Sequence, residues 1–325
     1  MNRTDYPFGF RVVGPVSEPR RLVDATAAFT AHCAADPRAQ PESECYLSAF
    51  AFCAGFRSHL DQRGSPKGFT GPCWSPYLWA DVDRDDPDAA LADVRRLANF
   101  VLFRYSEFRD DDLLVFFSGR KGFHLGVPLT HNPEPSVAFN AVCRRIAEGL
   151  AAEVGVVIDT SIYDKVRLFR APNSTHPKTK LHKRRLTYDE MMHLSIDRIT
   201  ELAGTPLGFE VPDVTAAPPL LATDWIEAET ALHERRVTAA ERHPGRSRLQ
   251  RDTLAFIRDG ASDGERHTRL FRAAGDLREH GAPPELVHAL LVEAALDSGL
   301  APTEVVRTIV CGIENSDAKA NGGAT

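Results

Sequence analysis

Between residues 77 and 127 the chain carries three short apolar runs with a long amphipathic segment between the first two, and this pattern limits the fold more than any other feature. Tyr77 to Val82 (YLWADV), Leu113 to Phe117 (LLVFF) and His124 to Val127 each suit a buried strand. DPDAALADVRRLANFVLFRY predicts a helix, with Asp86 as its N-cap and Pro87 at its first position. The turn containing Gly119 and Gly122 closes the second and third runs into a hairpin. Beyond it, 136–154 predicts a helix, VVID at 156–159 a short strand, 166–171 an extended segment and 187–203 another helix. Upstream, AFTAHCAAD and YLSAFAFCAGFRSHL are too densely apolar for strand alternation, so the first seventy residues read as helical. The sum is an α+β domain over residues 1–210.

The character then changes. VPDVTAAPP at 211–219 marks a connector, and a linking helix is expected at 223–242 within a linker spanning 211–244. From Gly245 to residue 315 only short helices are expected. They would be lined by Leu249, Leu254 and Ile257; by Leu270, Phe271, Ala274 and Leu277; by Leu286, Leu290, Leu291 and Ala294; and by Val305, Val306, Ile309 and Ile313. Gly281 and Gly299 fall where helices stop, Pro283 and Pro302 where the next begin. The tail at 316–325 reads as disordered.

A hydrophobic fraction of 43% and a charged fraction of 26% are those of an ordinary soluble protein. No run of eighteen apolar residues suggests a membrane span, and the first residues lack a signal-peptide pattern, so a cytoplasmic location without a membrane partner is expected. The six cysteines form no CxxC pair. His32 with Cys33, Cys45, Cys53 and Cys73 is a poorly spaced zinc candidate, and zinc is not expected.

The net charge of −6 argues against a nucleic-acid partner only globally, because a binding groove needs local positive potential. Lys165, Arg167, Arg170, Lys178, Lys180, Lys183, Arg184 and Arg185 follow one another with no acid between them. Asp81 and Asp83 end a strand, and residues i and i+2 share a face, so both carboxylates can serve one site. Hard oxygen ligands suit Mg²⁺ and Mn²⁺, the ions that assist nucleotidyl transfer. An acidic loop ahead of a helix is the plainer reading of the same residues. In Ser118-Gly119-Arg120-Lys121-Gly122-Phe123-His124, two glycines allow close backbone approach, and four side chains can bond phosphate oxygens; a basic tight turn is the alternative. Asp159 follows an apolar run and is preferred over Asp164 as a third carboxylate, though it could equally cap a turn.

Taken in order, ADVD at 80–83, SGRKGFH at 118–124, VID at 157–159 and RLFRAPNSTHPKT at 167–179 resemble the archaeo-eukaryotic primase superfamily. The resemblance implies an RNA-recognition-like sheet plus an α/β unit. It implies that Asp81, Asp83 and Asp159 are catalytic and bind two Mg²⁺ or Mn²⁺ ions. It also implies that Ser118, Arg120, Lys121, His124, Arg170, His176 and Lys178 bind the nucleotide. Lys180 stands where members often have glycine, and no zinc-binding insertion is evident. Residues 245–315 are similar to the C-terminal helical domain of phage and plasmid primase-polymerases, with Arg266, Arg269 and Arg272 as candidate initiation or template contacts. The implied function is primer synthesis and extension from nucleoside triphosphates on single-stranded DNA, with a replicative helicase as a candidate partner. A repair polymerase that only extends existing ends, and a non-catalytic replication initiator, are the alternatives.

Overall fold

The computed structural model describes residues 5–242 and 249–322, in two compact units, Met1–Arg236 and Val237–Thr325. The first unit contains β1 (Phe8–Val13), β2 (Arg21–Asp24), α1 (Ala25–Cys33), β3 (Cys45–Ser48), β4 (Ala51–Phe52), α2 (Ala54–Arg63) and β5 (Cys73–Trp74). Next come β6 (Tyr77–Asp83), α3 (Pro87–Arg104), β7 (Leu114–Phe117), β8 (Gly122–Pro128), α4 (Phe139–Glu153), β9 (Leu168–Arg170) and β10 (Arg184–Leu186). The short helices α5 (Tyr188–His193) and α6 (Ile196–Leu202) precede α7 (Pro219–Arg242), which runs across the division between units.

Two antiparallel sheets result. One has the order β5-β4-β1-β3-β9, with β2 paired to β1; the other has the order β10-β7-β8-β6. In the second sheet β8 is buried along its whole length, and β6 is buried until its acidic end. Strands covered on both faces read as unbroken apolar runs, which is why these were visible in the sequence. Helix α3 begins as expected, with the Asp86 carboxylate accepting from Asp88 N. It buries Leu91, Val94, Ala98 and Val101, an i, i+3, i+7, i+10 stripe. Helix α4 buries Val142, Ile146 and Leu150 in the same core.

Three expectations fail in this unit. The first seventy residues are mixed: β1 to β4 lie among them beside α1 and α2. A dense apolar run such as YLSAF is compatible with either a buried strand or a buried helix, and pairing decides it: Cys45, Tyr46 and Leu47 face β1 across an antiparallel register. VVID is not a strand. It is an extended segment that ends in a short 3-10 turn, Thr160–Tyr163, capped by Asp159 itself. Residues 187–203 form two helices rather than one, because Ser195 leaves helical geometry to cap α6 by accepting from Arg198 N.

The expected linker is also more than a connector. Helix α7 buries Leu221, Trp225 and Ala228 in the first core, with Trp225 4.9 Å from the ring of Phe139. Arg104 donates twice to Asp224, at 2.6 and 2.8 Å, and Tyr105 Oη donates to the same carboxylate at 2.7 Å.

The second unit contains α8 (Arg251–Asp259), α9 (Arg266–Glu279), α10 (Pro284–Asp297) and α11 (Pro302–Gly322). Its core is built from Phe256, Leu270, Ala274, Leu277, Val287, Leu291, Val305, Ile309 and their neighbours. Leu254, Leu286, Leu290 and Val306, expected inside, are exposed. Helix α10 is apolar around most of its circumference, so its pattern does not select one face. Gly281 and Gly299 end helices with φ of +81° and +83°. The expected disordered tail is instead helical through Gly322, with Ser316 buried and Arg278 donating to Asp317 at 2.7 Å. Residues 323–325 and the expected boundary at Gly245 lie outside the described residues. Among the described residues, no helix is long and apolar enough to cross a membrane.

Candidate active site

Strand β6 is an edge strand, and the segment after α4 covers that edge. Asp159 N donates to Asp81 O at 2.8 Å, and Tyr163 Oη donates to Trp79 O. These bonds bring the third carboxylate beside the pair on the strand, and Asp81, Asp83 and Asp159 line one cavity of about 220 Å³. Asp81 lies deepest. Burial and, after it, the negative charges of Asp159 and Asp83 raise its pKa to about 7. Asp83 and Asp159 lie at the exposed mouth.

The other walls are basic and aromatic. Ser118, Arg120 and Lys121 come from the β7–β8 turn, His124 from β8, Arg167, Phe169 and Arg170 from β9 and its approach, and His176 from the loop that follows. Tyr46 on β3 is paired in register with Arg170, whose guanidinium carbon lies 5.2 Å from the Tyr46 ring. His124 stacks on Phe169 at 4.4 Å and points Nε2 toward Asp81 Oδ1 at 3.5 Å. Burial, with Lys183 and Arg170 nearby, holds it far below the usual imidazole range. His176 Nδ1 accepts from Lys178 N at 3.1 Å, which leaves Nε2 as its N–H donor. Burial and the charges of Arg170 and Arg120 keep this ring neutral, with a pKa of about 4.

The two glycines of the turn permit close approaches within the protein itself. Gly119 has φ of +90°, and a Cβ there would lie 2.9 Å from Leu181 O and 3.3 Å from His176 Cβ. At Gly122 a Cβ would lie 2.9 Å from Val82 O. They allow the turn to press on β6 and on the 176–182 segment, where Thr179 Oγ1 also donates to Gly119 O at 2.6 Å. Lys180, where the resembled family often has glycine, keeps the left-handed conformation with φ of +61°.

Of the residues expected from the sequence, all three carboxylates and Ser118, Arg120, Lys121, His124, Arg170 and His176 line the cavity. Lys178 does not; it is exposed on the loop beyond. Lys121 is engaged with acids, 3.1 Å from Asp85 and 3.5 Å from Asp83. Asp164, the rival third carboxylate, is exposed, accepts from Val166 N and stands outside the cavity. Tyr46 and Arg167 were not expected. Arg167 sat in the basic run, whereas nothing near Tyr46 signalled that β3 would pair with β9.

The arginines of the helical unit do not form a free cluster. Arg266 donates to Ser298 O and Gly299 O and pairs with Asp263, and Arg269 pairs with Glu265 at 2.7 Å. Arg269 and Arg272 line a cavity there with four acids, Asp252, Glu265, Asp276 and Glu279, a lining that disfavours phosphate.

The carboxylate set has the hard oxygen donors that Mg²⁺ or Mn²⁺ requires, and a cation would offset both the burial and the carboxylate repulsion that raise Asp81. In the geometry observed, no group of three or more His, Cys, Asp or Glu among the described residues could hold a metal ion. Asp159 is turned toward its own loop, its two oxygens accepting from Ser161 N and Oγ at 2.8 Å each. Asp81, Asp83 and Asp159 are the residues whose oxygens would hold such an ion, and Asp159 would have to give up its bonds to Ser161 to do so.

No family model matches the sequence, and no curated protein matches it. Among solved structures, the polymerase domain of Ligase D from Mycobacterium tuberculosis, in complex with DNA, is similar at 17% identity and a TM-score of 0.36, covering 61% of this chain and 81% of that one. The crystal structure of primase RepB′ is similar at 16% identity and a TM-score of 0.34, covering 97% and 94%. Both likenesses are distant.

Proposed function

We propose that this chain is a template-dependent nucleotidyltransferase that makes and extends primers on single-stranded DNA. One observation carries the reading: a single cavity is lined by three carboxylates together with Ser118, Arg120, Arg167, Arg170 and His176. A nucleoside triphosphate offers matching parts, an anionic tail for the cations and a reacting phosphorus for the carboxylate side. Asp81, Asp83 and Asp159 would hold two divalent ions, Mg²⁺ or Mn²⁺, which activate the attacking hydroxyl and neutralise the triphosphate. Arg120, Arg167 and Arg170 bind phosphate oxygens through charge-assisted bonds, and neutral His176 donates its Nε2 proton to the same tail. Tyr46, largely buried in the cavity wall beneath the Arg170 guanidinium, would meet the sugar or base with the small part of its ring that reaches the cavity. Lys121, paired with Asp83 and Asp85, would lose its contact with Asp83 when that acid takes up a cation and would be free to turn toward the phosphates.

The test is primer synthesis on unprimed single-stranded DNA, supplied with ribo- or deoxynucleotides and with Mg²⁺ or Mn²⁺. The wild-type chain is expected to produce short products. Asp83→Ala, an exposed change that spares the core, should lower incorporation about a thousandfold, the several kcal/mol that a catalytic ion supplies. Near-normal synthesis by folded Asp83→Ala would remove the carboxylates from the chemistry.

A further inference from the structure

Lys183, just before β10, is wholly buried. Its ammonium donates to one oxygen, the Arg170 carbonyl, at 2.9 Å. Rings close much of the remaining space: Nζ lies 4.1 Å from the centroid of Phe169, 4.7 Å from Phe116 and 5.6 Å from Trp79. A lysine so placed is costly, since the rings and one carbonyl replace only part of its hydration. An aliphatic side chain would fill the same space without that cost, so packing alone does not account for the charge.

Its surroundings do. Trp79 precedes Asp81 by two residues on β6, so the two side chains share a face. Phe169 is shared between Lys183 and the His124 ring, and His124 in turn faces Asp81. The ammonium thus shares the Trp79 and Phe169 rings with the wall that carries Asp81, and among the described residues it makes no ion pair with a carboxylate of the site.

We propose that Lys183 is a positioning residue, an internal positive charge sustained by the carboxylates, which offsets the mutual repulsion of Asp81, Asp83 and Asp159 while no cation is bound. The inference rests on the reading of those residues as cation ligands. The electrostatics run in the same direction: burial pushes Lys183 down to about 7, and the negative charge of Asp81 is the main influence that holds the ammonium protonated. Such a charge has an unusual signature, because it competes with the arriving ion. Removing it should make the site bind a divalent cation more tightly, whereas loss of a merely structural lysine would weaken binding or leave it unchanged.

The experiment is titration of the full-length protein with Mn²⁺ alone, free Mn²⁺ being read by electron paramagnetic resonance. Lys183→Met keeps length and apolar shape while removing the charge, and circular dichroism checks the fold. Lys183→Gln, which retains a donor for the Arg170 carbonyl, serves the same purpose if the methionine variant does not fold. Either neutral variant is expected to bind Mn²⁺ roughly tenfold more tightly than wild type, and Asp81→Asn to bind it more weakly. Unchanged or weaker binding by a folded neutral variant, with Asp81→Asn still impaired, overturns the role of Lys183 alone. Absence of Mn²⁺ binding by wild type overturns the cation reading and this inference together.

Discussion

His32 couples the fold to pH through one buried ring. Its Nδ1 lies 3.2 Å from Pro172 O, which can only accept, so Nδ1 carries the proton and Nε2 accepts from the Cys45 thiol at 3.4 Å. Burial, then Arg11 beside it, lower its pKa from 6.5 to about 4. The unfolded chain therefore takes up a proton at a pH where the folded chain does not. The stability His32 contributes is complete above pH 6.5 and is lost as pH falls toward 4, to a total of about 3 kcal/mol. Urea unfolding followed from pH 8 to pH 4 should show His32→Asn less stable than wild type at pH 8 but with a shallower decline below pH 6.5. Parallel curves for the two proteins would mean that another group carries the pH dependence.

Gly119 belongs to the scale of elements, since it sets how the β7–β8 turn meets the segment leading to β10. With φ of +90° and Leu181 O 2.9 Å from the position of a Cβ, Gly119→Ala must strain the backbone or part the two segments. The expected cost is about 1–3 kcal/mol of stability, with weaker nucleotide binding because Ser118, Arg120 and His176 no longer converge. Gly149→Ala in α4 is the control: among the described residues nothing lies within 4 Å of the position of its Cβ, and the change should stabilise by about 0.5–1 kcal/mol. Thermal melting and nucleotide titration of both variants decide it, and equal behaviour would refute the contact. The same elements show what a sequence discloses. The DxD pair, the turn and the run from Arg167 to His176 were legible because spacing along one strand or one turn fixes their geometry. Tyr46 and Lys183 were not, because their places follow from the β3–β9 and β10–β7 registers, which no local pattern encodes. Asp159 was found for a partly mistaken reason: it caps a turn instead of ending a strand, and one backbone bond to Asp81 brings it to the cavity.

At the scale of the whole molecule, every residue of the proposed nucleotide site lies in the first unit, which has its own core extending into α7. A chain ending at Arg242 should therefore extend a supplied primer at close to the full-length rate. Starting a chain is a different demand. Extension needs one nucleotide beside an end already held by base pairing, whereas initiation must immobilise two free nucleotides on the template, at a larger entropic cost. The helical unit is the remaining part of the chain that can reduce that cost, so the truncated protein is expected to start chains at least tenfold more slowly. Arg266 and Arg269 are committed to partners within their own unit, which leaves exposed Arg272 as the sharper probe. If the unit holds a triphosphate or the template through that side chain, full-length Arg272→Ala should reproduce much of the initiation defect while extending normally. Purified wild-type, truncated and Arg272→Ala proteins, compared on primed and unprimed templates without other replication proteins, separate the cases. Equal initiation by all three would make the helical unit a docking module for another protein, in keeping with the acidic lining of its cavity.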